Sequence, residues 1–341
     1  MSDRNIYVNA DDYGADLFRS IGIYLAAKSR AINSTSALVL RQTPLEQRLL
    51  RHVRKRNGLR VGIHVDLTSP QLLTTKTSEL LQNKTKFHDK RDVWIGLLSE
   101  KINYDSVRKE ITAQISRFRR ICGSNPDFMD AHNHVHIANP TIYNLFNDIS
   151  KTEGISFTRI PLDRMTHLAD SSLGQELSAF VSRSSASYGE NDSPSFLCKL
   201  AENMRGCRLS DIALYELCVK RLRKQDKDVQ DKAEKHHFYG TVFGHSSSVS
   251  GLLRIFQEIF SASDQPISHE IMLHPGLNLW TDRNNPFSCA QRLSELAQAV
   301  IVSKLVLPSP FTRKYLAPSF RKTYPRKGRE HNKTNQINEP T

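Results

Sequence analysis

Two adjacent carboxylates, Asp11 and Asp12, stand where the apolar run around Ile6 and Val8 gives way to Tyr13-Gly14 and a segment of helical spacing. They therefore close a strand. Adjacent residues leaving a strand point in different directions, so one carboxylate can bind a metal while its neighbour faces a water or a substrate. In isolation the pair reads more readily as a helix cap than as a site. Its meaning depends on partners elsewhere. His64 lies in a strand whose Val61, Ile63, Val65 and Leu67 alternate with Gly62, His64, Asp66 and Thr68. Asp130-Ala131-His132-Asn133-His134-Val135-His136 places three histidines at spacing two, on one face with Asp130 if the segment stays extended. Phe128, Met129, Val135 and Ile137 make this a core segment and not a surface tract. His274 leaves a further strand beside Pro275-Gly276, and Arg159 ends another.

Asp12, His64 and His132, on three strand ends, suit one divalent ion with positions left for water and substrate. Such an ion lowers the pKa of water from about 15.7 towards about 7 and polarises a carbonyl. Asp11 would take the water's proton, and a protonated His274 would give one to the leaving nitrogen. The chemistry is amide or ester hydrolysis; spacing alone does not separate an acetyl amide from an ester or a phosphate. A single strand histidine such as His64 is otherwise a hydrogen-bonded structural residue, and Arg159 otherwise half of an ion pair or a substrate contact.

The elements that must position these groups alternate between strand and helix. Leu17, Phe18, Ile21, Tyr24 and Leu25 recur at helical spacing, Thr35–Leu40 reads as a buried strand and Pro44–Lys55 as a helix. Leu59–Thr68 is a strand, 70–92 a polar connection, and Ile95–Ile121 mostly one helix with Val107, Ile111, Ile115 and Phe118 inward. Strands are expected at 155–161, 239–245, 269–274 and 300–307, with helices at 212–222, 249–260 and 286–299. Residues 163–235, rich in Ser and charge, read as an excursion that is partly flexible, with Ser182-Arg183-Ser184-Ser185 and Lys224–Lys235 exposed. From 308 to 341 a basic, disordered tail is expected.

Composition limits the partners. A formal charge of +13 favours acidic surfaces without naming one. Arg48, Arg51, Arg54, Lys55 and Arg56 form a basic helix face with no interleaved aromatics, which weighs against nucleic acid there. The five cysteines form no Cys-x-x-Cys pair, which argues against a disulfide framework or a thiolate zinc site. With no apolar leader and no apolar run long enough to span a bilayer, a cytoplasmic protein is expected. Weak contact of the tail with an anionic membrane or nucleic acid, and a homodimer, are left open.

Six motifs in order resemble those of the YdjC-like carbohydrate deacetylases: Asn9-Ala10-Asp11-Asp12-Tyr13-Gly14, Ser34–Val39, Gly62–Thr68, Asp130–His136, Arg159-Ile160-Pro161 and Met272–Gly276. The resemblance covers roughly 5–161 and 239–300, with Tyr13 where Phe is usual and Ala131 where Ser is usual. It implies an α/β fold, a distorted (β/α) barrel of the polysaccharide-deacetylase-like type. That barrel would span 1–307 as a single domain, with a divergent insertion at 163–235. It further implies a divalent metal, magnesium or zinc, and removal of acetyl groups from N-acetylated sugars such as chitooligosaccharides. Carried across, Asp12, His64 and His132 are the ligands and Asp11 the base. His274 is the proton donor or oxyanion stabiliser, and His134, His136 and Arg159 are supporting residues. A metal-dependent phosphoesterase and an inactive barrel that binds nucleic acid or membrane are the competing readings.

Overall fold

The computed structural model describes residues 5–57, 59–81, 88–155, 159–162, 175, 179, 194–202, 209–240, 248–261, 267–279 and 289–306. In chain order these contain β1 (Asn5–Tyr13), α1 (Leu17–Lys28), β2 (Ser34–Ala37), α2 (Pro44–Asn57), β3 (Arg60–Val65) and α3 (Thr77–Leu80). There follow α4 (Lys90–Leu98), α5 (Tyr104–Cys122), β4 (Met129–Ala131), a 3₁₀ segment (His132–Ile137) and α6 (Pro140–Thr152). Then come α7 (Pro194–Glu202), α8 (Leu209–Gln225), α9 (Lys227–Lys235), β5 (His236–Tyr239), α10 (Val249–Ser261), β6 (Ser268–Leu273) and α11 (Gln291–Val306).

Among the described residues six strands form one sheet in the order β4-β3-β2-β1-β6-β5, and every pairing is parallel. The order is cyclic: the chain walks outward from β1 to β4, then returns through β5 and β6 to the other side of β1. The sheet is therefore a half-barrel, open between β4 and β5. Parallel strands covered by crossover helices are buried on both faces, and here β1, β3 and β6 are almost wholly so. The carboxyl ends of the strands lie together at one end of the barrel, where the site residues were expected.

The turn after β1 is tightly built. Gly14 has φ of +90°, and a Cβ there would stand 2.5 Å from the Leu38 carbonyl oxygen. The Gly14 amide donates to Ser20 Oγ, and that hydroxyl donates to Glu46 Oε1. Glu46 also closes a capping box at the start of α2, accepting from the amide and hydroxyl of Thr43 at 2.8 Å each. The strand end is thus tied to two helices at once.

Helix α1 buries the face opposite to its apolar stripe. Leu17, Phe18 and Leu25 are exposed, whereas Arg19, Ser20, Gly22, Ile23, Ala26 and Ala27 face inward. The reason is close approach. A Cβ on Gly22 would fall 2.4 Å from the Gly276 Cα, so only glycine lets α1 pack on the segment after β6.

Several expectations are corrected. Ile95–Ile121 is two helices, α4 and α5, broken at 99–103, where Glu100 has φ of +57° and Asn103 caps α5. The connection at 70–92 contains α3 and the start of α4, its residues 82–87 lying outside the described set. Ile155 and Arg159–Pro161 carry no strand, with 156–158 outside the described residues. The strand expected at 239–245 is earlier, at β5, and 241–245 lie outside the described residues. The run from Val300 continues α11 to Val306, because Leu296, Ala299, Val302 and Ser303 keep one helical face inward. The helix expected from 286 is described only from Gln291. Within 163–235 the described part is α7, α8 and α9, and Ser182–Ser185 and the tail from 308 lie outside the described residues. In the α2 basic face, Arg51 donates to the Ile121 carbonyl and Arg54 to the Asn125 carbonyl and Asp127, so those cations are engaged within the protein.

Gly22→Ala offers a test of the close approach. Alanine is the better helix former by about 1 kcal/mol, yet a net loss of about 1–3 kcal/mol is expected from urea unfolding because the added methyl meets backbone. A stabilised variant would contradict the packing.

Candidate active site

Asp11 and Asp12 sit at a register shift between β1 and β2, spanning Ala10 to Tyr13. Asp12 takes a left-handed conformation, φ +68°, which short polar side chains tolerate and which turns successive carboxylates apart. The expected division of directions is therefore built into the backbone.

Asp12 Oδ1 lies 3.0 Å from His132 Nδ1 and 3.3 Å from His64 Nε2, and those two nitrogens are 3.4 Å apart. Ligand atoms about 2.0–2.1 Å from one small divalent ion, at tetrahedral to octahedral angles, stand roughly 3.0–3.4 Å from each other. The triangle fits such an ion. His64 Nδ1 is 2.6 Å from Asp130 Oδ1, so its Nδ1–H donates there and Nε2 is directed at the triangle. Solvent reaches the triangle from the side of His132, whose side chain is 28% exposed against 3% for Asp12.

Asp11 faces inward. Its carboxylate accepts from Arg159 Nη1 at 2.6 Å and Nη2 at 2.8 Å, from Ser36 Oγ at 2.8 Å and from Asn9 Nδ2 at 2.5 Å. The same guanidinium meets Glu270 Oε1 through Nε at 2.9 Å and Asp130 Oδ2 through Nη2 at 2.9 Å. Phe238 lies beneath it at 5.5 Å. Arg159 reaches this position because its amide bonds the Met129 carbonyl, which sets it alongside β4 at the opening of the half-barrel.

Electrostatics follow from these contacts. Burial pushes Asp11 upward, but Arg159 and then His64 outweigh it and hold the carboxyl well below the usual range. Burial likewise opposes ionisation of Asp12, and His132, His64 and Arg19 overcome it. Burial disfavours protonation of His64, yet Asp130, Asp11 and the bond to Asp12 raise it well above the ordinary imidazole value. His274 moves the other way: burial, helped by Arg292 and opposed by Asp12, lowers it to about 3, so its ring is neutral near pH 7. Its amide donates to Glu295 Oε2 at 2.6 Å, which anchors the β6 exit to α11.

The family described as YdjC-like protein matches residues 5–300. The chain belongs to the YdjC-like family. A chitooligosaccharide deacetylase of Escherichia fergusonii is 30% identical over 206 residues, 59% of this chain and 76% of that protein. A carbohydrate deacetylase of Danio rerio is 26% identical over 284 residues, 80% of this chain and 81% of that protein. An Enterococcus faecalis crystal structure, provisionally described as a cellobiose-phosphate cleavage protein, superposes with a TM-score of 0.57 at 18% identity. That match covers 94% of this chain and 99% of the other, and it speaks to the fold.

In this YdjC-like chain Asp12, His64 and His132 converge as one group that could hold a metal ion, and Asp11, His64 and Asp130 as a second, fully buried one that shares His64. The three histidines of 132–136 do not share a face. The strand stops at Ala131, and Asn133 and His134 both take φ of +54°, which swings each following ring to a new direction. His134 turns into an aromatic cluster, 5.1 Å from Tyr215, while Trp94 Nε1 donates to the Asn133 carbonyl. His136 Nε2 donates to the Arg159 carbonyl at 2.8 Å, with burial lowering its pKa to about 3. Arg159 is fully buried, against the carboxylates of Asp11, Asp130 and Glu270. Arg19 and Glu270 were missed. Glu270 had a signal, a lone acid in an apolar strand; Arg19 had one too, a cation near the start of a helix.

Two outcomes are expected. Arg159→Met strands three buried carboxylates and should cost about 3–5 kcal/mol in chemical denaturation; a loss below 1 kcal/mol, roughly the worth of a surface ion pair, would contradict the network. For His136, the native ring stays neutral down to about pH 3, whereas the unfolded chain takes a proton near pH 6.5. Stability contributed by the neutral ring is therefore present above about pH 6.5 and lost as pH falls below it, by up to ~1.4 kcal/mol per unit. His136→Gln should remove that part of the slope, and parallel slopes for both proteins would rule it out.

Proposed function

We propose that this chain is a divalent-metal-dependent carbohydrate deacetylase that removes acetyl groups from N-acetylated amino sugars, chitooligosaccharides being the first substrates to try. The observation that carries the reading is the Asp12, His64 and His132 triangle with Asp11 at its side, in a chain whose relatives bear deacetylase names. Two imidazoles and one carboxylate form a donor set that zinc takes more readily than magnesium. When bound, the ion supplies an acidified water and a polarised acetyl carbonyl.

The protein's own groups do the rest. Asp11 accepts the attacking water's proton; Arg159, Ser36 and Asn9 fix its orientation and keep it ionised. Its lowered pKa makes Asp11 a weak base that is always available, so the water must arrive already acidified. His274, neutral at rest, donates an N–H hydrogen bond to the developing oxyanion, and the proton that Asp11 takes from the water is the one returned to the leaving nitrogen. His64 keeps its Nδ1 proton on Asp130 throughout, so the imidazole holds one orientation.

The test is a pair of variants measured for acetate release from N-acetylated oligosaccharides and for metal content. Asp11→Asn is expected to keep the metal and lose turnover by roughly 10²–10⁴-fold. Asp12→Ala is expected to lose the metal. Equal metal loss in both would end the division of labour, and undiminished acetate release by Asp11→Asn would end its role as base.

A further inference from the structure

The first turn of a helix is an unfavourable place for a buried cation, because the helix dipole presents positive charge there. Arg19 occupies such a place, in the first turn of α1 and only 1% exposed. A buried guanidinium needs anions of suitable geometry. Nη1 lies 2.6 Å from Asp12 Oδ2, and Nε lies 3.7 Å from Asp16 Oδ2. Asp16 is itself the N-cap, accepting from the Arg19 amide at 2.9 Å. From the other side, a Cβ on Gly276 would stand 3.4 Å from the Arg19 Cα, so the segment after β6 closes over it.

The two oxygens of Asp12 thus have different partners: Oδ2 belongs to Arg19, and Oδ1 faces His132 and His64. We propose that Arg19 is a positioning residue that confines Asp12 to ligation through one oxygen, keeping a coordination position open for water and substrate. This rests on the reading of Asp12, His64 and His132 as ligands. A carboxylate with both oxygens free binds divalent ions in one-oxygen or two-oxygen mode. The two-oxygen mode would use a position that hydrolysis requires for another group. By drawing charge from the carboxylate, the guanidinium also leaves the ion a stronger Lewis acid. The same contact explains why a cation is tolerated at the α1 start: it faces the carboxylate and not solvent.

Cobalt(II) reports coordination number without turnover, since four- and five-coordinate cobalt absorbs visible light more strongly than six-coordinate cobalt. The full-length protein is stripped with a chelator, loaded with cobalt(II) and measured beside Arg19→Met, Arg19→Leu and Arg19→Lys, with circular dichroism on each to establish folding. Wild type and Arg19→Lys, which keeps a cationic donor on Oδ2, should give the same strong band. Arg19→Met, or Arg19→Leu if the first does not fold, should bind cobalt with a band roughly twofold or more weaker as the freed oxygen joins the ion. A wild-type spectrum in the folded Met or Leu variant overturns the proposal. So does a folded variant that binds no cobalt, because a freed carboxylate remains a ligand. Wild type that takes up no cobalt would instead overturn the metal reading beneath it.

Discussion

One guanidinium holds the interior of this barrel together. Arg159 bonds carboxylates from β1, β4 and β6, namely Asp11, Asp130 and Glu270, with no exposure to solvent. Desolvating these four charges is expensive, and only nearly complete hydrogen bonding recovers the cost. Asp11 is held bidentately and Glu270 through Nε, while Asp130 Oδ2 stands 2.9 Å from Nη2 as an ion pair without a hydrogen bond of its own. Because the sheet is open between β4 and β5, the side chain does across the lumen what a further strand would do through its backbone. The His136 bond to the Arg159 carbonyl and the Phe238 face complete its fixation.

That constraint determines what the neighbouring groups can be. Among the described residues Asp11, Asp12, Asp130 and Glu270 meet two guanidiniums, Arg159 and Arg19, and Glu270 also meets His236 Nε2 at 3.2 Å, so full ionisation of the four acids would leave a negative excess. Without an ion, part of the balance falls to His64, drawn to protonation by Asp130 and Asp11 against the effect of burial. A divalent cation would supply it in full, and to do so it must displace a proton. Affinity should therefore weaken as pH falls, since proton and ion compete for the same imidazole. Stability, charge balance and chemistry are thus joined in one set of contacts.

The legible part of the site was the part that ends strands. Asp11, Asp12, His64 and His132 were readable because each closes an apolar alternation, and strand ends in a parallel barrel converge. His134 and His136 were misread as lying on one face with His132, since no sequence pattern announces two consecutive left-handed residues that are not glycine. The α1 stripe misled in the same way. Its large apolar residues point outward, and its buried face is chosen for small size at Gly22 and for charge at Arg19. The Val300 run favoured a strand by its β-branched residues, but helical burial from Leu296 onward overrode that propensity. In each case a tertiary contact decided what local preference could not.

The central claim is that one divalent ion sits among Asp12, His64 and His132. Anomalous diffraction from crystals grown with zinc tests it most directly, because the signal locates the ion independently of activity. A single anomalous peak about 2.0–2.2 Å from Asp12 Oδ1, His64 Nε2 and His132 Nδ1 is expected. A peak held by other residues, or a zinc-saturated crystal with no peak among these three, would contradict it.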